Sequence, residues 1–294
     1  IRLKYQENES VADVDSLKHT RVREALKFTN ITNDIEIASL SDVMSQAGLG
    51  GSSSFMVGLL QGLYTLQGKK FTKKDLAEDA AFIEIEKVGE PIGKQDQYAA
   101  AYGGMNVFEF TQERVSVEPV FVEPDIIHGF QEHLLLIFSG MKHSASDILL
   151  DQTAHIKERV ELYRSAAQMA KEFRDFLVLG DYQSLGVMLC TMWWAKRNFS
   201  QKVSTPLLDT LIEAGLDVGA YGGKVVGAGG GGCVLFIAPP EKHSAIESAV
   251  LSLAPNGKKI PMQLTQGGSE VMYTDRSRYA TIYHGLQKPD QDWG

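Results

Sequence analysis

The sequence has little cysteine and no long hydrophobic run. Of 294 residues only Cys190 and Cys233 are cysteines, and no C-x-x-C spacing occurs. This excludes a disulfide-rich secreted scaffold and argues against a structural zinc site. No apolar run, including Leu134 to Phe138, approaches the roughly 18 residues of a membrane span, and the polar N-terminus does not resemble a signal peptide. We therefore expect a reduced, cytoplasmic protein that does not span a membrane.

An excess of positive charge is also absent. Lysine and arginine total 29 against 37 acidic residues, so the net charge is -8. Such a protein is not expected to bind nucleic acid, and an anionic ligand must be held by backbone amides and a few placed cations. Hydrophobic residues make up 44% of the chain, enough for a sizeable core. The length suits one large domain or two packed ones.

Helix and strand patterns mix along the chain and predict an α+β fold. A strand is expected within Asp34 to Leu40, and a helix from Phe55 to Gln67. Thr72 and Asp75 form a capping pair for a helix that runs to about Val88. Long helices, an apolar strand from Cys233 to Ala238 and closing strands at 259–264 and 271–274 follow. Glu123-Pro124-Asp125 is the candidate boundary between an N-terminal domain, 1–124, and a C-terminal domain, 125–294.

A glycine- and serine-rich loop, GLGGSSS, lies between the first predicted strand and helix. A flexible linker is the alternative interpretation. The position favours a phosphate site, because amides and the helix dipole converge on an anion at a helix N-terminus. Its glycines permit close approach of an anion to the backbone, and its serines supply hydroxyl groups that can bind phosphate or a metal ion. The predicted phosphate-binding residues are Gly48, Leu49, Gly50, Gly51, Ser52, Ser53 and Ser54.

A second glycine loop, GAGGGG, spans Gly227 to Gly232 and matches G-x-G-x-x-G literally. A dinucleotide-binding loop must open a helix, whereas strand-like residues follow here, so that interpretation is rejected. Close packing of its backbone against another loop is the better explanation. The sequence also lacks the P-loop and protein-kinase motifs, so phosphoryl transfer would need another design.

Two carboxylates could act in catalysis. Glu84 shares an inward-facing helical stripe with Ala77 and Ala81. A buried carboxylate needs a cation, so a structural arginine or lysine is favoured over a divalent metal as its partner. Asp96 could be a helix N-cap, or with Lys94 nearby it could orient a hydroxyl nucleophile. A loop that binds an anion, a carboxylate that binds a metal ion and an aspartate that orients a hydroxyl group together suit phosphoryl transfer with Mg²⁺.

Three segments, GLGGSSS (48–54), GEPIGKQDQYAAAYGG (89–104) and GGKVVGAGGGGC (222–233), resemble in order and spacing the second and third motifs of the GHMP small-molecule kinases. The resemblance implies an N-terminal domain of ribosomal-protein S5 type, a ferredoxin-like C-terminal domain and an active site between them. Segments 93–104, 139–149 and 193–204 are most similar to D-glycero-D-manno-heptose 7-phosphate kinases. The implied reaction is phosphorylation of the anomeric hydroxyl by ATP, for lipopolysaccharide or capsule precursors.

The resemblance also implies roles for individual residues. Ser52 would meet phosphate and Mg²⁺, and Glu84 would be the metal ligand, which reverses the preference for a structural ion pair. Asp96 would be the catalytic aspartate. Gly227 to Gly231 would support the phosphate loop, with Gly229 and Gly230 lining the substrate cleft.

The substrate's own phosphate requires dedicated cations in an acidic protein. The predicted substrate contacts among the cations are Lys94, Lys142, His143 and Lys196, with Arg197 and Lys202 as further candidates. The alternative for each of these cations is an ordinary solvated side chain on the surface. Trp193 and Trp194 are expected to pack in the core or between helices.

The family's opening motif has no counterpart in this sequence, and Met44 replaces a proline found in many members. Three alternatives therefore stay open: a kinase of fucokinase type, a kinase of galactokinase type, or a catalytically silent homologue that binds nucleotide or sugar. The oligomeric state is also open, a homo-oligomer included.

Overall fold

A computed structural model describes residues 1–42, 47–142 and 145–274. Within these ranges the strands form sheets of three, two and four strands, with helices packed against them. The mixture of helix and sheet confirms the predicted α+β class. No helix in the described ranges is long and apolar enough to cross a membrane. Met44 and His143 lie outside the described residues.

The first half of the chain surrounds one hydrophobic core. Its elements are β1 (Arg2–Lys4), β2 (Asn8–Ser10), α1 (Thr20–Phe28), β3 (Glu36–Ala38), α2 (Gly51–Leu66), α3 (Lys73–Phe82), a π-helical turn (Ile83–Lys87), α4 (Gln95–Tyr102), β4 (Asn106–Phe110) and β5 (Val115–Pro119). β1 pairs antiparallel with β2 and parallel with β3. The helices bury Leu26, Met56, Leu60 and Tyr98 in a shared core.

The second half of the chain packs helices on an antiparallel sheet. Its elements are α5 (Pro124–His133), β6 (Leu134–Phe138), α6 (Ala145–Ala154), α7 (Val160–Leu179), α8 (Tyr182–Arg197), α9 (Pro206–Asp217), β7 (Gly222–Val225), β8 (Cys233–Ile237), α10 (His243–Leu253) and β9 (Lys258–Ile260). The strand order is β7-β8-β6-β9. β6 and β8 are nearly continuous apolar runs because both of their faces are covered.

Local sequence signals located most of the helices. Thr72 and Asp75 form the predicted capping box, and the helix they open becomes a π-helical turn at Ile83 before it ends. The strand expected at 271–274 is wrong, because those residues form no regular structure. Strand β7 lies directly before the second glycine loop. Pro124 opens α5, where proline is well tolerated at the first helical position.

Candidate active site

The loop before α2 leaves the N-terminal end of this helix open to a ligand. Gly50 is the N-cap residue with a φ of 66°, and no side chain caps the helix. The N–H of Ser54 donates to the carbonyl oxygen of Gly50 at 3.0 Å and so makes the first bond within the helix. The preceding N–H groups point out of the helix end and can bind an anion. Ser52 is exposed there, whereas Ser53 is buried.

The two glycine loops pack backbone against backbone. A β-carbon at Gly48, where φ is 78°, would lie 2.9 Å from the carbonyl oxygen of Val226. A β-carbon at Gly227, where φ is 72°, would lie 2.6 Å from the carbonyl oxygen of Gly48. Glycine alone meets both the left-handed backbone and the close approach without strain. The prediction that the second glycine loop packs against another loop is therefore confirmed.

Gly229 and Gly230 lie behind the surface of the second loop. A β-carbon at Gly229 would lie 2.4 Å from the carbonyl oxygen of Val203. The N–H of Gly230 donates to the same oxygen at 2.7 Å. Both glycines are buried and support the loop from behind. Their contact with substrate stays a prediction.

Asp96 lies directly beside the phosphate loop. A β-carbon at Gly50 would be 3.2 Å from Oδ2 of Asp96, which is closer than an ordinary van der Waals contact. Asp96 is the second residue of α4, and the N-cap position belongs to Lys94. The interpretation of Asp96 as an N-cap is therefore wrong. Its carboxylate is placed within reach of any group bound at the N-terminus of α2.

The surroundings of Asp96 favour its neutral form more than water does. Partial removal from water raises the pKa of its carboxyl group above the ordinary value, and the negative charge of Glu84 adds to this rise. A hydrogen bond from Nε2 of Gln95 to Oδ1 (3.4 Å) and the positive charge of Lys196 act in the opposite direction. Where it is ionised, a carboxylate with a raised pKa is a stronger base than an ordinary aspartate.

Glu84 lies in the π-helical turn and is 0% exposed. Its Oε1 accepts a hydrogen bond from Nε of Arg21 at 2.9 Å, and its Oε2 accepts one from Nε2 of Gln97 at 2.6 Å. Nε2 of Gln97 also donates to Oγ of Ser53 at 3.0 Å. Glu84 thus has the buried ion pair that sequence reasoning first favoured, and Gln97 links it to the first turn of α2. Its metal-binding role stays a prediction.

Arg21 extends this network to the second half of the chain. Its Nη2 donates to Oε1 of Glu90 at 2.8 Å, and Oγ of Ser146 donates to Oε2 of Glu90 at 2.9 Å. Ser146 lies in the first turn of α6. The side chains that surround Glu84 are therefore fixed from both halves of the molecule, at a π-helical turn of the kind often found at functional sites.

The oxygen atoms near Glu84 suit Mg²⁺. The Glu84 carboxylate and the Ser53 hydroxyl both accept hydrogen bonds from Nε2 of Gln97, and Oε1 of the same amide is buried without a hydrogen-bond partner. Carboxylate oxygens keep a second lone-pair site after they accept one bond. In the described ranges no group of three or more His, Cys, Asp or Glu side chains could hold a metal ion by itself. These residues fit Mg²⁺ that is bound together with phosphate oxygens and water.

Lys196 approaches the site from the last turn of α8. Its Nζ donates to the carbonyl oxygen of Gly227, in the loop that packs on Gly48. The pKa of Lys196 is lowered to about 7 by removal from water and, secondly, by repulsion from Lys224, while the charge of Asp96 acts in the opposite direction. The predicted substrate contact Lys196 is thus close enough to Asp96 for their charges to interact.

The other predicted cations lie in different surroundings. Lys94 and Lys142 are exposed, as is the further candidate Lys202. Arg197 pairs with Oδ2 of Asp209 at 2.8 Å and lies 4.6 Å above the ring of Trp194, so it has a structural role. Their contact with substrate stays a prediction.

Sequence reasoning missed three residues of this site. Gln97 follows Asp96 directly, and Lys224 stands just before the second glycine loop, so their positions next to recognised motifs were usable signals. Arg21 carried no such signal, because it lies 63 residues from Glu84 in the sequence.

Comparison with known proteins assigns a family to this geometry. The N-terminal domain model of the GHMP kinases matches residues 17–104, and the C-terminal domain model matches residues 169–256. The chain belongs to the GHMP kinase family. It is a sugar kinase of this family, a phosphotransferase that acts on a hydroxyl group.

Individual relatives support the assignment. The chain is 31% identical over 232 residues to a D-glycero-alpha-D-manno-heptose 7-phosphate kinase of Campylobacter jejuni, covering 78% of this chain and 68% of that protein. A structure described as a putative sugar kinase of Campylobacter jejuni is 28% identical with a TM-score of 0.62, covering 90% of this chain and 75% of that one. A heptose 1-phosphate kinase structure from Bacteroides thetaiotaomicron, 22% identical, shares the fold with a TM-score of 0.74, covering 93% and 83%.

Proposed function

We propose that the protein transfers the terminal phosphoryl group of ATP to the anomeric hydroxyl of D-glycero-D-manno-heptose 7-phosphate, giving the 1,7-bisphosphate and ADP. The observation that carries this proposal is the position of Asp96, whose carboxylate lies beside Gly50 at the open N-terminus of α2. The similarity to the heptose 7-phosphate kinase of Campylobacter jejuni supports the choice of sugar.

The phosphate loop would hold the ATP phosphates. The free N–H groups of the first turn of α2, together with the exposed hydroxyl groups of Ser52 and Ser54, would contact the bound phosphates. Mg²⁺, when bound, would neutralise charge on the phosphate oxygens, and Ser52 and Glu84 are the residues proposed to hold it. Gly48 to Gly51 would let the phosphate approach the backbone closely.

Asp96 would act on the acceptor hydroxyl. Its raised pKa makes the ionised carboxylate a better proton acceptor for the anomeric O–H than an ordinary aspartate. The ammonium group of Lys196, held on the second glycine loop, would stabilise negative charge that develops in the transition state. Phosphoryl transfer depends mainly on such positioning and electrostatic stabilisation.

A coupled assay of ADP release tests the substrate. The protein is incubated with ATP, Mg²⁺ and, in turn, heptose 7-phosphate, unphosphorylated heptose, galactose, fucose and mevalonate. We expect turnover with heptose 7-phosphate and at least about tenfold lower kcat/KM with each of the others, which is a difference of about 1.4 kcal/mol in transition-state binding. Preferred turnover of galactose or fucose would refute the choice of sugar and support a galactokinase or fucokinase type.

A second candidate is a homologue that binds nucleotide or sugar without turnover. It is favoured by the pairing of both Glu84 carboxylate oxygens with Arg21 and Gln97, which is a structural use of this residue. Calorimetry would then show ATP binding, and Asp96→Ala would leave the background release of ADP unchanged. A loss of ADP release in Asp96→Ala, with ATP binding retained, would exclude this candidate.

Two further assignments belong to the proposal. The protein would work in the cytoplasm, where the free cysteines Cys190 and Cys233 stay reduced, and its product would serve lipopolysaccharide or capsule precursors. The domain boundary would fall at residues 124–125, where Pro124 opens α5.

A further inference from the structure

Two lysines at the second glycine loop lack an anionic partner. Lys196 donates from Nζ to the carbonyl oxygen of Gly227, and Lys224 is the third residue of β7. Among the ion pairs of residues 1–42, 47–142 and 145–274, neither ammonium group lies within 4.0 Å of a carboxylate oxygen. Both lysines are only partly exposed. A partly buried cation without a counter-charge is unfavourable, so these two predict a ligand that supplies negative charge.

The register of the sheet shows which way Lys224 points. Lys224 lies opposite Leu235, which in turn lies opposite Leu136 in β6. Residues directly opposite in an antiparallel sheet share one face. Leu136 and Leu235 pack with Ala47 and Leu49 of the phosphate loop. Lys224 is therefore on the face of the sheet that carries the phosphate loop.

The packing of α8 beside β7 brings Lys196 to the same place. A β-carbon at Gly222, at the start of β7, would lie 1.7 Å from the carbonyl oxygen of Gly186 near the start of α8. At the other end of both elements Lys196 reaches Gly227. The helix and the strand thus run in the same direction, and both lysines belong to their C-terminal ends.

The electrostatics agree with this geometry. After removal from water, the charge of Lys224 is the next cause of the low pKa of Lys196, which is about 7, so the two ammonium groups repel each other. Removal from water also lowers the pKa of Lys224. Asp96 attracts Lys196, but a single carboxylate cannot balance two cations. A doubly charged anion would balance both.

We propose that Lys196 and Lys224 together bind a phosphate group beside Asp96, with Lys224 as a residue that determines specificity for phosphorylated ligands. This inference rests on the proposed function, which supplies two ligands that could carry the bound phosphate group. One is the acceptor sugar, through the phosphate that it already carries, and the other is ATP, through its terminal phosphate. Both present the same chemistry, a phosphate dianion, to the two ammonium groups.

The kinetic test compares Lys224→Met with Lys259→Met. Lys259 lies in strand β9 of the same sheet and pairs with Glu247 at 3.6 Å, so it is a matched lysine away from the site. Loss of one charge-assisted bond predicts that Lys224→Met raises a KM by about tenfold or more. A rise in the KM for sugar phosphate assigns the site to the acceptor, and a rise in the KM for ATP assigns it to the nucleotide. Lys224→Arg should restore most of the loss.

The binding test needs no turnover. Wild-type protein is treated with limiting acetic anhydride near neutral pH, with and without inorganic phosphate, and acetylation of each lysine is measured by mass spectrometry. We expect phosphate to protect Lys196 at least about threefold, to leave Lys259 unchanged, and to lose its effect in Lys224→Met. Because no sugar substrate takes part, this result is separable from a failure of the proposed function.

Two results would overturn the inference. One is unchanged acetylation of Lys196 in the presence of phosphate. The other is a folded Lys224→Met variant whose KM values for sugar phosphate and ATP both stay within twofold of those of Lys259→Met.

Discussion

Replacement of Arg21 by methionine tests whether Arg21 stabilises the buried carboxylate of Glu84. Arg21→Met removes the two donors that bind Glu84 at 2.9 Å and Glu90 at 2.8 Å, and it leaves the Glu84 carboxylate buried with only Gln97 as a donor. Removal of one partner from a fully buried ion pair costs about 3–5 kcal/mol. The Arg21 side chain is 22% exposed, so we expect the lower end, about 3 kcal/mol.

The matched control is Lys27→Met on the same helix. The Lys27 side chain is 38% exposed and pairs at 2.5 Å with Asp15, whose side chain is 75% exposed, so this pair remains in contact with water. Such a pair contributes about 1 kcal/mol or less. Thermal unfolding followed by circular dichroism should show an apparent Tm lower by about 6–12 °C in Arg21→Met, at about 2–4 °C per kcal/mol, and by about 4 °C or less in Lys27→Met.

A double variant separates the charge effect from lost packing. Arg21→Met with Glu84→Gln should be more stable than Arg21→Met alone, because the double variant buries no unpaired charge. Equal losses in Arg21→Met and Lys27→Met, or no recovery in the double variant, would refute the view that Arg21 stabilises a buried carboxylate.

Three further predictions concern the site. Gly48→Ala places a side chain at positive φ and should weaken ATP binding by about tenfold, at about 1–2 kcal/mol, whereas Gly62→Ala, later in α2 with open space around it, should change the calorimetric Kd by less than about twofold. Asp96→Asn should lower kcat at least about 100-fold and leave the Kd for ATP nearly unchanged; equal losses in both would contradict its role on the acceptor hydroxyl. Lys196, which faces Lys224 and Asp96, carries its proton below about pH 7 and loses it as the pH rises, so affinity for sulfate, which stays a dianion where phosphate itself titrates, should fall between about pH 6 and 8; pH-independent affinity over that range would show that Lys196 keeps its charge.

Local sequence signals predicted the parts of the fold that depend on near neighbours. The capping box of Thr72 and Asp75 begins α3. Gly48 and Gly50, which precede α2, adopt positive φ values, as a loop that lets an anion approach its backbone closely requires. Periodicity placed Glu84 on the buried face of its helix, and the structure gives it no exposed surface. These features follow from interactions within a few residues, which a single sequence records directly.

Partners distant in sequence were beyond the reach of the same reasoning. The cation that pairs with Glu84 comes from α1, and the hydroxyl that binds Glu90 comes from α6. Which arginine contacts Glu84, and which serine contacts Glu90, depends on the packing of the whole chain. Lys224 was overlooked for a different reason. Gly222 and Gly223 before it are typical of a loop, whereas the segment forms strand β7.

The most direct test of the central claim is a ³¹P nuclear magnetic resonance spectrum of the protein incubated with ATP, Mg²⁺ and D-glycero-D-manno-heptose 7-phosphate. We predict that the ATP signals convert to those of ADP while a new monoester signal appears, coupled to the anomeric proton, beside the retained 7-phosphate signal. Unchanged ATP, or a new phosphate coupled to any other proton of the sugar, would contradict transfer to the anomeric hydroxyl.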